Sequence, residues 1–195
     1  MLSLFNEKNL HNSTGPNGAG KTTASFTILP EIFECKEFVN ADEIARGLSP
    51  FNPEVVAFQA GRIMIERINS LLEDDKTFVF ETTLSTNSYV SFIDKAKERG
   101  YEIILLFLKL NSEELAIERV KTRVSEGGHN IPINTIRRRY RRGLRNLCQK
   151  YIQKVDKWIL IDNSTRKFKF IAEGSKDKLF IKDQREWDEL NKKFK

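Results

Sequence analysis

The stretch GPNGAGKTT, Gly15 to Thr23, has the residue types and spacing needed to hold a run of phosphates. Gly15-Pro16-Asn17-Gly18-Ala19-Gly20-Lys21-Thr22 fits the pattern GxxxxGK[ST] at every fixed position. Glycines let the backbone curl so that successive N–H groups face an anion, and a following helix turns its positive end toward the same charge. In such a loop Lys21 reaches the β- and γ-phosphates, the Thr22 hydroxyl ligates Mg²⁺, and Pro16 stiffens the turn. Gly15 to Thr23 are therefore the candidate nucleotide-binding residues, and ATP with Mg²⁺ is the expected cofactor pair. The plainer alternative is a glycine-rich turn that only resembles the motif. The helix-forming segment directly after the loop, and the acids farther along, favour the nucleotide.

Two carboxylates stand where an acceptor would need them. FVNADEIA places Asp42 just beyond a short strand and 21 residues after Lys21. There it can take the proton of a substrate hydroxyl while the γ-phosphoryl lies in line, or it can cap the helix that follows. FVFETTLS ends a second strand on Glu81, with Thr82, Thr83 and Ser85 behind it. An acid at that point can hold a Mg²⁺-bound water or a substrate hydroxyl, or be a solvated strand end.

Arginine supplies the third ingredient. Eight of the 14 arginines lie between Arg119 and Arg145, so the net charge of +6 is concentrated locally. Arg119 and Arg123 share one helical face. Gly127-Gly128-His129-Asn130-Ile131-Pro132 interrupts the helix, and the next one carries Arg137, Arg138, Arg139, Arg141 and Arg142. Two helices joined at such a break can close as a lid over a nucleotide, at about residues 119 to 145, and bring planar guanidinium forks to a transferring phosphoryl. Two or three of these arginines are expected to act beside Lys21, Asp42 and Glu81. His129 is a further candidate, for a phosphate or substrate contact or for a loop-ordering hydrogen bond. A basic helix that binds nucleic acid is the rival explanation, but it leaves the phosphate loop, Asp42 and Glu81 unused; nucleic acid is not the expected partner.

These residues need a scaffold of strands and helices in alternation. TFVF (77–80) and the almost wholly apolar 102–110 read as strands, the latter covered on both faces. Helices are expected over 53–72, over 88–99 with Gly100 ending it, over 112–124 with Ser112 or Asn111 as cap, and from about Ile136 to Tyr151. A strand at 158–161 and a hairpin from 168–172 and 179–181 follow. The pattern predicts a three-layer α/β nucleoside-triphosphate fold with about five parallel strands, an arginine-rich lid, and an appended hairpin and tail at about 166 to 195, all in one domain of 195 residues. One segment resists this. Lys8 to Thr14, which should be the buried strand leading into the loop, has a single apolar side chain, Leu10. Either the backbone pairs anyway with polar groups at the sheet's centre, or the chain's start is altered. Each unpaired buried amide or hydroxyl costs about 1–3 kcal/mol.

Composition limits the remaining classes. The longest aliphatic run, Ile103 to Leu108, is a strand's length and far short of the roughly 20 residues a bilayer demands. Met1 to Phe5 has neither the basic start nor the apolar stretch of a secretion signal, which points to the cytoplasm. Cys35 and Cys148, far apart and without CxxC spacing, read as buried thiols.

In this order, GPNGAGKTT, FVNADEIARGLSPF, FETTLS, AIERVKTRV, GGHNIP and IRRRYRRG closely resemble the zeta-toxin family of P-loop kinases, in the branch described as predicted ABC-type ATPases. The resemblance runs from Gly15 to about Ser164. It implies transfer of the γ-phosphoryl of ATP to a small-molecule hydroxyl, with the 3′-hydroxyl of UDP-N-acetylglucosamine as the acceptor known for well-studied members. The alternatives are an ATPase or kinase with a different acceptor, and a defective toxin-like binding module held by a partner antitoxin. By the same resemblance Lys21 is the phosphate-loop lysine, Asp42 the acid that activates the sugar hydroxyl, Glu81 an acid near the substrate, and Arg119 a γ-phosphate arginine. Alignment on Ile131-Pro132 places His129 at the second lid arginine, with Arg123, Arg138 or Arg139 able to substitute. No LSGGQ-like signature of a transporter ATPase is present.

Overall fold

The computed structural model describes residues 8–27, 35–128, 130–165 and 167–194. Met1 to Phe5 and His129 lie outside the described residues. Seven strands form one sheet in the order β2-β3-β1-β4-β5-β6-β7. These are β1 (Asn9–Thr14), β2 (Phe38–Val39), β3 (Phe78–Thr82), β4 (Glu102–Lys109), β5 (Lys157–Asp162), β6 (Lys169–Ser175) and β7 (Leu179–Ile181). The first five are mutually parallel, and the hairpin β6-β7 joins antiparallel at β5. The expected five-stranded parallel core is therefore present, with the hairpin extending the same sheet.

Among the described residues the helices are α1 (Lys21–Thr27), α2 (Ala41–Leu48), α3 (Ala57–Glu73), α4 (Ser88–Glu98), α5 (Glu113–Ser125), α6 (Ile133–Asn146) and α7 (Gln184–Phe194). Local chemistry sets their ends. Ser112 caps α5 by accepting from the Leu115 N–H at 3.1 Å, and Gly100 leaves α4 at φ +81°. Pro53 opens a 3₁₀ turn (Pro53–Val56) ahead of α3, so the helix expected from residue 53 becomes regular only at Ala57. The long helix expected to run to Tyr151 ends its α-helical part at Asn146 and widens into a π-helical turn, Leu147–Tyr151.

The tail is more ordered than the expectation of a simple appendage. Asp183 accepts from the Glu186 N–H at 3.1 Å and starts α7, which buries Trp187, Leu190 and Phe194. Trp187 stacks on Trp158 of β5 with centroids 5.3 Å apart and planes 7° from parallel, fastening the C-terminal helix to the sheet. Cys148 is a buried thiol, whereas Cys35 is only half-buried.

The polar leading strand does pair. β1 runs between β3 and β4 in full register, from Leu10 beside Phe78 and Ile103 to Thr14 beside Thr82 and Phe107. Backbone bonding on both sides needs no apolar side chain, and this is what keeps a hydrophilic segment at the sheet's centre. Some of its side chains are satisfied locally: the Thr14 hydroxyl donates to the Leu106 carbonyl at 2.9 Å, and the Ser25 hydroxyl of α1 donates to Ser13 at 3.0 Å. Asn12 is different. It is 1% exposed, stands in register between Phe80 and Leu105, and neither polar atom of its side chain has a hydrogen-bond partner. Phe80 packs edge-on against Phe92 of α4 on that face, so an amide is placed in aromatic surroundings at a cost of about 1–3 kcal/mol.

Burial pushes the pKa of His11, 3% exposed, down to about 4. The ring is neutral when folded and takes a proton near pH 6.5 when unfolded. Between these values the unfolded state binds more protons, so stability from this residue falls as pH drops from about 6.5 toward 4 and is unaffected above that window. Urea unfolding at about pH 7.5 and pH 5 should show a loss near 2 kcal/mol attributable to His11. His11→Leu should remove that component of the slope; an unchanged slope would place the ring in contact with water.

Candidate active site

The loop between β1 and α1 is fixed from two directions. The Asn163 side chain, just past β5, donates to the Ala19 carbonyl at 2.8 Å. Arg119 of α5 donates to the Gly18 carbonyl at 3.5 Å and the Ser164 carbonyl at 3.0 Å. Gly20 sits at φ +77°, and a Cβ there would lie 2.8 Å from the Asn163 amide nitrogen. The conformation demands glycine, and a larger residue would also push aside the Asn163 amide that holds the Ala19 carbonyl. The loop thus keeps its curl by contacts with strand ends and with α5.

Lys21 and Glu81 form the centre of the site. Lys21 is 7% exposed; its ammonium donates to the Pro16 carbonyl at 3.0 Å and lies 3.6 Å from Glu81 Oε1. Glu81 Oε2 accepts from the Thr22 hydroxyl and from Asn40 Nδ2, both at 2.9 Å. Asn40 also works at its other end, where Oδ1 accepts from the N–H groups of Asp42 at 2.7 Å and Glu43 at 3.4 Å, capping α2. The capping alternative for Asp42 therefore falls to Asn40, and the Asp42 carboxylate is left for other use. Asp42 is exposed and borders both cavities described below.

Two cavities meet at this centre and share Asn17, Lys21, Asp42 and Glu81 as walls. The first, of about 200 Å³, is bounded by the loop glycines, Thr22, Thr23, Arg119 and Arg123. The second, of about 290 Å³, is lined by Met64, Thr83, Ser85, Thr86, Tyr89 and Arg139 among others. The hydroxyl-rich turn after β3 forms its floor. There Leu84 takes φ +53° while fully buried, a left-handed strain of roughly 1–2 kcal/mol. The Leu84 carbonyl is held by the Asn146 side chain at 2.6 Å. Gly143 brings α6 onto the same turn, since a Cβ there would stand 2.5 Å from the Thr83 carbonyl.

That close approach aims Arg139, not Arg138, into the site. Arg139 donates to Asn17 Oδ1 at 3.4 Å and lines the second cavity. Burial pulls its guanidinium pKa down, and the Asp42 carboxylate pulls it partly back. Arg138 lies with Arg137, Arg141, Arg142 and Arg145 along the outer groove of α6. The structure therefore brings together Gly18, Gly20, Lys21, Thr22, Thr23, Asp42, Glu81, Arg119 and Arg123, adds Arg139, and leaves Arg138 outside. Sequence reasoning missed Asn40, Asn146 and Asn163. Asn40, directly before an acidic helix start, carried the signature of a cap; Asn146 and Asn163 had no local signal, because their partners are distant in the chain.

The sequence profile of the zeta toxin family matches residues 14–175. The chain belongs to the zeta toxin family. An uncharacterized protein of Haemophilus influenzae is 32% identical over 126 residues, which are 65% of this chain and 88% of that protein. A chain of the AvrRxo1-ORF1:AvrRxo1-ORF2 complex, crystallised with sulphate ions, superposes with a TM-score of 0.75 at 16% identity and covers 95% of this zeta-family chain. This chain spans 64% of the length of that one. A chain from the PezAT chromosomal toxin-antitoxin system of Streptococcus pneumoniae gives a TM-score of 0.66 at 17% identity, covering 97% of this chain and 79% of its own length. At these identities the structural likenesses speak for the fold. Among the described residues, no helix is long and apolar enough to cross a membrane.

Proposed function

We propose that this zeta-family chain is an ATP-dependent kinase, a single P-loop domain in the cytoplasm that transfers the γ-phosphoryl group to the hydroxyl of a small molecule. The observation that carries the reading is the pair of cavities meeting at Lys21, Asp42 and Glu81, one walled by the phosphate loop and the other by a hydroxyl-rich turn.

The residues fit a magnesium nucleotide. The first cavity collects one buried ammonium and two guanidinium groups, the donor set a triphosphate requires. Thr22 and Glu81 place a hydroxyl and a carboxylate within 2.9 Å of each other at its edge, hard oxygen donors of the kind Mg²⁺ prefers. When bound, the ion would neutralise charge on the β- and γ-phosphates. In the transfer step the acceptor hydroxyl oxygen bonds to the γ-phosphorus, its proton passes to Asp42, and the bond from that phosphorus to the β,γ-bridging oxygen breaks, releasing ADP. Lys21, Arg119 and Arg123 stabilise charge on the transferred group. Arg139 faces the acceptor side, and Asn40 holds Glu81 and the start of α2 in fixed relation.

The structure of AvrRxo1-ORF1:-ORF2 with ATP supports the choice of nucleotide. The PezAT system supports a protein antitoxin as partner. UDP-N-acetylglucosamine is the acceptor implied by the family resemblance. The chain incubated with Mg-ATP and this sugar nucleotide should release ADP and yield a product heavier by one phosphoryl group in mass spectrometry. ADP release with another hydroxyl compound alone would replace the acceptor; no transfer to any member of a sugar, nucleoside and nucleotide panel would remove the kinase reading.

A further inference from the structure

On its outer side, α6 presents Arg137, Arg138, Arg141, Arg142 and Arg145, which with Asn134 line a groove of about 480 Å³. All five arginines are exposed. Five like charges within nine residues repel one another along a helix. Glu113 of α5 is the acid that reaches them: it takes Arg141 in a two-point grip, Oε1 to Nε at 2.6 Å and Oε2 to Nη2 at 3.1 Å, and approaches Arg137 at 3.9 Å. Among the described residues, Arg138, Arg142 and Arg145 show no ion pair or hydrogen bond. The phosphate-transfer site makes no use of them, because Arg139 is the residue of this helix that faces it.

We infer that this groove is a docking site for an acidic helix of a partner protein. Glu113 shows the mode of binding within the chain itself: a helical carboxylate laid across the arginine row and held by both prongs of a guanidinium. The row repeats that opportunity. Arg138, Arg142 and Arg145 follow one another at four and three residues, about 5–6 Å apart on the helix surface, over a total rise of about 10 Å. Glutamates at matching four- and three-residue intervals on a second helix have the same spacing, so each carboxylate can meet one guanidinium. Ile133 at the groove's N-terminal end is 44% exposed and offers an apolar contact for such a helix. The wall residues are arginines and one asparagine, with no aromatic ring on which a nucleobase could stack, which favours a protein over single-stranded nucleic acid. This inference stands apart from phosphoryl transfer and needs no bound nucleotide.

The test is fluorescence anisotropy on the full chain without ATP, at about 0.1 M salt. The probes are a labelled 20-residue helical peptide with glutamates along one stripe, a scrambled peptide of the same composition, and a labelled 20-base-pair DNA duplex. The striped peptide should bind about tenfold more tightly than the scrambled one. Arg142→Gln with Arg145→Gln should weaken it about tenfold, at about half that free energy per exposed ion pair. Glu113→Gln should strengthen binding severalfold by releasing Arg141 and Arg137, a gain that a misfolded variant could not give. Equal affinity for striped and scrambled peptides, tighter binding of the duplex, or no binding of any probe would each overturn the inference. Kinase assays on the same preparations report separately on the proposed function.

Discussion

Lys21→Met should reduce the turnover of phosphoryl transfer about 10³-fold. The ammonium is 7% exposed and stands where the two cavities join, in reach of both the phosphate loop and Glu81. Methionine preserves most of the side chain's volume, which separates loss of charge from loss of packing. The substitution also leaves Glu81, 8% exposed at its side chain, without its cation. Isolating a buried carboxylate costs about 3–5 kcal/mol in the worst case; the hydrogen bonds from Thr22 and Asn40 lessen that here. Adding Glu81→Gln to Lys21→Met should therefore restore the urea midpoint while activity stays absent. If the double variant recovered ADP release as well, the role of Lys21 would be structural alone.

Asp42→Asn should lower kcat by about 10²–10⁴-fold with little change in the KM for ATP. The side chain takes no part in capping α2, since Asn40 receives the Asp42 N–H whatever the side chain is. Asparagine keeps the shape and removes the proton acceptor. A change confined to KM, with kcat intact, would mean that Asp42 merely contacts the acceptor and that deprotonation occurs elsewhere.

Much of this arrangement is legible in the chain because the signals are local. The phosphate loop is a contiguous pattern, and Glu81 is marked by the switch from TFVF to hydroxyl-bearing residues. Asp42 is legible for a similar reason, although its competing capping role is settled only by Asn40, which fills it. The lid is harder. IRRRYRRG spreads arginines over more than half the circumference of a helix, and which one turns inward depends on Gly143 touching the Thr83 carbonyl, a contact 60 residues apart in sequence. Hence, of the two neighbouring alternatives the resemblance leaves open, Arg139 lines the site and Arg138 does not. Side-chain polarity argues against a strand at Asn9–Thr14, but backbone pairing on both sides outweighs it. Helix α7 goes beyond the expected hairpin and tail, although Asp183 and the spacing of Trp187, Leu190 and Phe194 are a local signal for it.

Glu81 already has as partners the groups a nucleotide would recruit: the Lys21 ammonium, the Thr22 hydroxyl and the Asn40 amide. An arriving ligand meets a site in which these donors are ordered but engaged, so association is an exchange of partners in place. A ligand that claims the lysine and the hydroxyl together must therefore leave Glu81 another partner, and the Asn40 amide is already in place as one. The carboxylate that borders the phosphate loop thus keeps the loop lysine and threonine in register with the start of α2.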